Sequence, residues 1–227
     1  MLALKQLTKA FGGVRAIDNL TVSFEPHRVH GLIGPNGAGK TTLFNLTSGT
    51  LRPDNGEISF NGVPITWWNP WNIARLGIGR TFQTIRIFPK MTVLQNMMVP
   101  YGTDPSRSVE LLEFVGLREF RDAPARELSY GQQKLLEFAR ALVTSPRFVL
   151  LDEPTAGVNP ILVEKIMGHI RNLTRDGKTF IVIEHDMKVI MNLCERIVVL
   201  HNGEKIADGP PEMIKTNQQV IDAYFGD

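Results

Sequence analysis

The chain has almost no cysteine. Cys194 is the single one among 227 residues, which excludes an internal disulfide framework and a Cys-rich metal site. An excess of one charge is also missing: 25 Lys and Arg face 23 Asp and Glu, a net charge of +2. That balance leaves no nucleic-acid footprint, so no nucleic-acid partner is expected. Long hydrophobic runs are absent too. The longest, Phe148–Leu151, Thr179–Ile183 and Ile197–Leu200, fall far short of the ~20 residues that span a bilayer. The stretch Met1–Ala10 carries Lys5 and Lys9 in a strand-like pattern and has no signal-type apolar core. The expectation is a cytoplasmic protein that reaches a membrane, if it does, through a partner. Repeats and low-complexity tracts are lacking, and the chain ends soon after its last hairpin, so no appended regulatory domain is expected. With 43% hydrophobic and 21% charged residues, the composition excludes disorder over most of the length.

What is there alternates. Leu2–Thr8, Leu20–Phe24 and Arg28–Ile33 read as strands, the third running into Gly34-Pro35-Asn36-Gly37-Ala38-Gly39-Lys40-Thr41. Thr42–Ser48 reads as a helix with Gly49 as its cap. Asn61-Gly62 and Asn202-Gly203 mark two hairpins. The stretch from Thr84 to Val143 is helix-rich, and Leu135, Ala139, Leu142 and Val143 share one helical face. Phe148–Leu151 and Phe180–Glu184 read as buried strands, and Pro160–Leu173 and Met187–Leu193 as helices, the first with Asn159 at its N-cap. Alternation of this kind predicts an α/β fold with a mostly parallel sheet covered on both faces.

Gly34–Thr41 matches G-x-x-x-x-G-K-[ST] between a strand and a helix. Its glycines let successive N–H groups face inward at a helix N-terminus, an anion site for phosphates. Lys40 would reach the terminal phosphates and the Thr41 hydroxyl would hold Mg²⁺. Four apolar residues deliver Asp152 and Glu153 to the sheet edge where ligands bind. Asp152 can hold Mg²⁺ directly or through water, from a strand expected to neighbour that of the phosphate loop. Glu153 can polarise a water that attacks the γ-phosphate. His185 ends another apolar run at the same edge; a γ-phosphate contact and a plain structural histidine are both open. In Leu128-Ser129-Tyr130-Gly131-Gln132, Ser129 is a natural N-cap and the positive helix end offers a second anion site, though a simple cap explains it equally.

Together these residues resemble the nucleotide-binding subunit of ATP-binding cassette (ABC) transporters. Gly34–Thr41 looks like Walker A, with Thr42 next to it, and Phe148–Glu153 like Walker B. Leu128–Gln132 resembles the signature sequence, Gln83 the Q-loop glutamine and His185 the switch histidine, while Phe11 stands where the family stacks an aromatic on adenine. The resemblance covers essentially the whole chain. It implies a P-loop NTPase core with an N-terminal antiparallel β-subdomain and an inserted helical subdomain, about residues 84–143, within one domain spanning 1–227. It implies ATP and Mg²⁺ as cofactors, with Thr41, Gln83 and Asp152 near the metal and Glu153, His185 and Gln83 in catalysis. Gly34, Pro35, Asn36, Gly37, Ala38, Gly39 and Lys40 would cradle the nucleotide. Two such subunits, identical or related, would pair head to tail, and Ser129, Gly131 and Gln132 would complete the partner's site. Ile85, Ile87 and Phe88, just after Gln83, would face a membrane permease subunit. An extracytoplasmic binding protein would act indirectly, and the subunit would sit at the cytoplasmic face of the inner membrane.

Within the family the chain looks most like the importer subunits for branched-chain amino acids. Phe11-Gly12-Gly13, Gly79-Arg80-Thr81-Phe82-Gln83, Ser129–Gln133, Glu184-His185-Asp186-Met187 and the ending Val220–Gly226 carry this likeness. Urea and short-chain amide importers look similar. Tyr130 replaces the usual first signature glycine, a variant at home in this branch, whereas Asn159 stands where many relatives have aspartate. The stretch from Gln83 to Ser129 is short for the branch. A soluble, non-transport ABC-type ATPase typically fuses two cassettes or inserts a coiled coil, and neither is present. A GTPase needs an [NT]-K-x-D stretch, which is also missing. Trp67, Trp68 and Trp71 read as packing at a helix start, Cys194 as buried and inert, and His27, His30, His169 and His201 lack metal-ligand spacing.

Overall fold

A computed structural model describes residues 1–100 and 102–225. Strands β1 (Leu2–Phe11), β2 (Val14–Phe24) and β3 (Val29–Ile33) lead into helix α1 (Lys40–Thr47). Then come β4 (Asn55–Phe60), β5 (Val63–Pro64), α2 (Pro70–Leu76) and β6 (Ile78–Arg80). The helices α3 (Val93–Met98), α4 (Pro105–Val115) and α5 (Tyr130–Leu142) follow. β7 (Phe148–Asp152), α6 (Pro160–Arg175), β8 (Thr179–Ile183) and α7 (Met187–Leu193) alternate after them. β9 (Arg196–His201), β10 (Glu204–Gly209), α8 (Pro211–Lys215) and α9 (Gln218–Phe225) complete the described chain.

Two sheets form. One is antiparallel, in the order β2-β1-β4-β5; the other runs β10-β9-β3-β8-β7-β6. In the second, β9, β3, β8, β7 and β6 are mutually parallel and only the edge strand β10 runs against its neighbour. The period-2 rule sorts the strand residues between two cores. Phe148 and Leu150 of β7, with Ile181 and Ile183 of β8, meet α1 and the antiparallel sheet on one side. Val149 and Leu151, with Phe180 and Val182, meet the helices from α3 to α7 on the other. This is why β3, β7 and β8 are buried at every position: strands covered on both faces have no solvent side.

Both expected hairpins are present, and both turn through left-handed backbone at two successive residues. Asn61 and Gly62 have φ of +50° and +81°, and Asn202 and Gly203 have +47° and +83°, the pattern of a type I′ turn. Asn159 caps α6 by accepting from Leu162 N at 2.9 Å. Ser48 is the residue that ends α1, with Gly49 one position beyond at φ +72°.

Other expectations need correction. α5 does not bury one apolar face alone: every residue from Lys134 to Ala139 is buried, two charged ones among them. β6 went unread because three residues, one a glycine, carry no apolar run. Gly79 is required there, since a Cβ would lie 2.5 Å from the Ala141 carbonyl oxygen of α5. β1 and β2 run longer than their apolar patterns because bulges interrupt the alternation between Leu4 and Ala10. α8 and α9 follow the last hairpin and were also unread. Within the ending Val220–Gly226, Gly226 lies outside the described residues.

Candidate functional site

Parallel strands aim their C-terminal ends at one edge of the sheet. The loop after β3, the Thr81–Gln83 segment after β6, Glu153 after β7 and His185 after β8 all emerge there. They line an open pocket of about 250 Å³, walled by residues 36–42 together with Gln83, Glu153, Ile183 and His185. The loop turns through Gly34, Gly37 and Gly39 at φ of +149°, +81° and +103°. Gly34 is fixed by space as well as angle: a Cβ would sit 2.1 Å from the Leu200 carbonyl oxygen. Lys40 opens α1 and folds back over the loop, donating to the carbonyls of Gly34 at 2.6 Å and Pro35 at 2.9 Å. Burial holds its ammonium below the usual lysine range, against the pull of Glu153 and Asp152.

Glu153 is the centre of the arrangement. Its Oε1 lies 2.8 Å from His185 Nε2 and accepts from Gln83 Nε2 at 3.3 Å. Its backbone is left-handed, with φ +50°, a conformation that costs a non-glycine residue ~1–3 kcal/mol and persists only when its surroundings enforce it. Three hydrogen bonds enforce it here. Glu153 N donates to Ile183 O at 2.9 Å, while Glu153 O accepts from Lys134 Nζ at 3.0 Å and Ala156 N at 3.3 Å. Gln83 and His185 therefore meet on one carboxylate oxygen at the mouth of the phosphate loop.

Asp152 lies under the pocket rather than on its wall, 2% exposed. Burial pushes its carboxyl up, and the Arg80 guanidinium at 3.6 Å works against that. Among the described residues its Oδ1 is buried without a hydrogen-bond partner. Its strand is not next to that of the phosphate loop: β8 intervenes between β3 and β7. This corrects the expectation of neighbouring strands. At ~4.8 Å per strand, Asp152 starts some 10 Å across the sheet from β3, which suits contact through a bridging group. The orphaned Asp152 Oδ1, the Thr41 hydroxyl and the Gln83 amide oxygen are hard oxygen donors, the chemistry that fits Mg²⁺.

The remaining expected residues lie elsewhere. Phe11 is half exposed, with Lys9 Nζ 5.6 Å from its ring centre, and is not part of the pocket wall. Ser129 and Gln132 satisfy each other in a capping box: Gln132 N donates to Ser129 Oγ at 3.3 Å, and Ser129 N to Gln132 Oε1 at 2.8 Å. Gly131 meets α6, where a Cβ would be 2.5 Å from Leu162 Cδ2. None of these three lines the pocket. After Gln83, Phe88 lines a groove of about 420 Å³ with Phe82, Arg86 and Arg140, whereas Ile87 packs on the core and Ile85 is outside the groove wall.

Sequence reasoning missed Lys134, Arg80, Thr155 and Glu184. Their signal is weak because their partners are distant in the chain. The Arg80 side chain is 7% exposed, donates to Ser48 Oγ at 2.7 Å and lies over the Phe82 ring at 4.7 Å. Glu184 is tied to Thr155, 29 residues away. Cys194 is buried, and burial pushes its thiol up. Among the described residues no group of three or more His, Cys, Asp or Glu could hold a metal ion, and no helix is long and apolar enough to cross a membrane.

The family model for ABC transporters matches residues 17–156. The chain belongs to the ABC transporter family, as its ATPase cassette. A second model, for branched-chain amino acid ATP-binding cassette transporters, matches residues 204–227. The chain is 39% identical to the high-affinity branched-chain amino acid transport ATP-binding protein BraF of Pseudomonas aeruginosa, covering 100% of this chain and 98% of BraF. It is 37% identical to the corresponding LivG of Escherichia coli K12 at the same coverage. The BraF alignment spans 250 positions, so the relative carries segments that this cassette of 227 residues lacks. Among solved structures, a nucleotide-free ATP-binding cassette from an ABC transporter superposes with a TM-score of 0.91 at 35% identity, covering 100% of this chain and 99% of that one. A dimeric cassette in a post-hydrolysis state bound to ADP and phosphate gives 0.85 at 29% identity, over 93% of this chain and 99% of that one.

Proposed function

We propose that this cassette drives uptake of branched-chain amino acids by binding and hydrolysing ATP against membrane-embedded permease subunits. The observation that carries the ATPase reading is the meeting of Gln83 and His185 on Glu153 Oε1 over the phosphate loop. The cargo reading is supported by the tail match over residues 204–227 and by the names of the relatives. The whole chain, 1–227, acts as one ATPase domain, with residues 84–143 as its inserted helical part.

The chemistry follows from the groups present. Loop N–H groups from Asn36 to Thr42, at the start of α1, bind phosphate oxygens. Lys40 exchanges two carbonyl partners for the terminal phosphates, a stronger charge-assisted contact. Phe11 stacks on the adenine. Thr41, Asp152 and Gln83 would hold Mg²⁺, which would supply charge neutralisation on the phosphates. Glu153 polarises the attacking water, His185 orients it toward the γ-phosphate, and Gln83 reads the state of the site. A second copy or related cassette contributes its Ser129, Gly131 and Gln132 to close the open pocket. The half-exposed Phe88 groove receives the permease, which keeps the cassette at the cytoplasmic face of the membrane. A binding protein on the far side acts only through that permease.

Affinity purification from native membranes, with mass spectrometry of the co-purifying chains, tests this reading. Multi-spanning permease subunits and a second short cassette are the expected recovery. Soluble partners alone would leave the ATPase intact and overturn the transport role.

A further inference from the structure

We propose that Glu184 is a positioning residue, a clamp anchored on Thr155 that sets His185 against Glu153. This rests on the reading of Glu153 and His185 given above. Glu184 is 4% exposed. Its Oε1 accepts from Thr155 N at 2.7 Å and from Thr155 Oγ1 at 2.6 Å, and its Oε2 accepts from His185 N at 3.3 Å. One carboxylate thus joins two segments. Thr155 lies two residues after Glu153, and His185 lies one residue after Glu184 itself.

The two segments need such a tie. β7 and β8 stop pairing at Asp152 and Ile183, and a single further backbone bond, Glu153 N to Ile183 O, continues the ladder. Beyond it the segments part around an open cavity of about 600 Å³ whose wall includes Glu153, Thr155, Glu184 and His185. The Glu153–His185 contact of 2.8 Å spans that opening. No cation pairs with Glu184 among the described residues. A buried carboxylate without a counter-charge is costly unless its hydrogen bonds are well made. Three donors from both sides of the opening meet that condition, with Oε1 taken by Thr155 and Oε2 by His185 N.

The test measures ATP turnover and ATP-analogue affinity of the purified full-length chain carrying Glu184→Ala, with and without His185→Ala. Misplacement of a catalytic pair by about 1 Å costs as much as ~100-fold, so kcat is expected to fall ~10–100-fold while analogue affinity stays native. In the His185→Ala background the same change is expected to cost almost nothing further, because the clamp acts through His185. Thr155→Val, which removes one hydroxyl and keeps the volume, lowers kcat less and repeats the cycle should the alanine variant not fold. A merely structural Glu184 would lower kcat by equal factors in both backgrounds, and that result overturns the clamp. So does native turnover in folded Glu184→Ala when His185→Ala alone is impaired. Native turnover in His185→Ala by itself overturns the catalytic reading of His185, and the clamp with it.

Discussion

Lys40 and Glu153 line the same pocket, and each is held by specific hydrogen bonds. Lys40 spends its donors on two loop carbonyls. Glu153 sits in left-handed backbone and presents one oxygen to two side chains. Lys40→Ala removes the only charged donor among loop residues 34–42. Nucleotide affinity, read by calorimetry, should drop at least ~10-fold, equivalent to ~1.4 kcal/mol, with the fold intact. Both residues were legible in the sequence because strand, loop and helix are contiguous there. Glu184, Lys134 and Arg80 were not, since what each does depends on a partner brought in by the sheet. Asp152 was legible as a carboxylate at the right edge but not in its distance from β3, because strand order is absent from local pattern.

At the scale of elements, caps and edge contacts decide stability. Asn159 does in α6 what its aspartate counterpart would do, accepting from Leu162 N. Asn159→Ala should cost ~0.5–2 kcal/mol in urea unfolding, and Asn159→Asp should not, because a carboxylate also caps and favours the positive helix end. Asp208 ties β10 to β9: it receives Arg196 at 2.7 and 2.9 Å and Lys205 at 3.0 Å. Burial alone would raise its carboxyl, but these cations outweigh burial and hold it below the usual range. A carboxyl lowered by folding stabilises above its unfolded pKa and loses that contribution as pH falls through its folded pKa. Asp208→Asn should therefore be less stable than the native chain at pH 7, with the gap narrowing as acid protonates native Asp208. Urea midpoints between neutral and acid pH measure this. The hairpins, α6, α7 and the buried strands were legible at this scale, since Asn-Gly turns, Pro at the first helical turn and apolar runs are local signals. β6, at three residues, and the short α8 are fixed by tertiary packing and leave no period to read.

In the whole molecule, the parallel sheet separates two cores, one shared with the antiparallel sheet and one with the helices. Its C-terminal edge is left open at the pocket, while Ser129, Gly131 and Gln132 stand away from that pocket in the same chain. On the proposed reading, a second chain supplies those three residues. Ser129→Arg should abolish hydrolysis and leave nucleotide binding by the isolated chain unchanged; calorimetry and phosphate release read the two separately. The most direct test removes the proposed base and keeps the shape. Glu153→Gln retains the volume and the hydrogen-bonding capacity toward Gln83 and His185 but no longer polarises water. Light scattering on a sizing column, with and without ATP, reads the mass of that variant. A monomer without ATP and a dimer with it, with no phosphate released, is the expected result. A monomer that binds ATP, or undiminished phosphate release, would contradict the account.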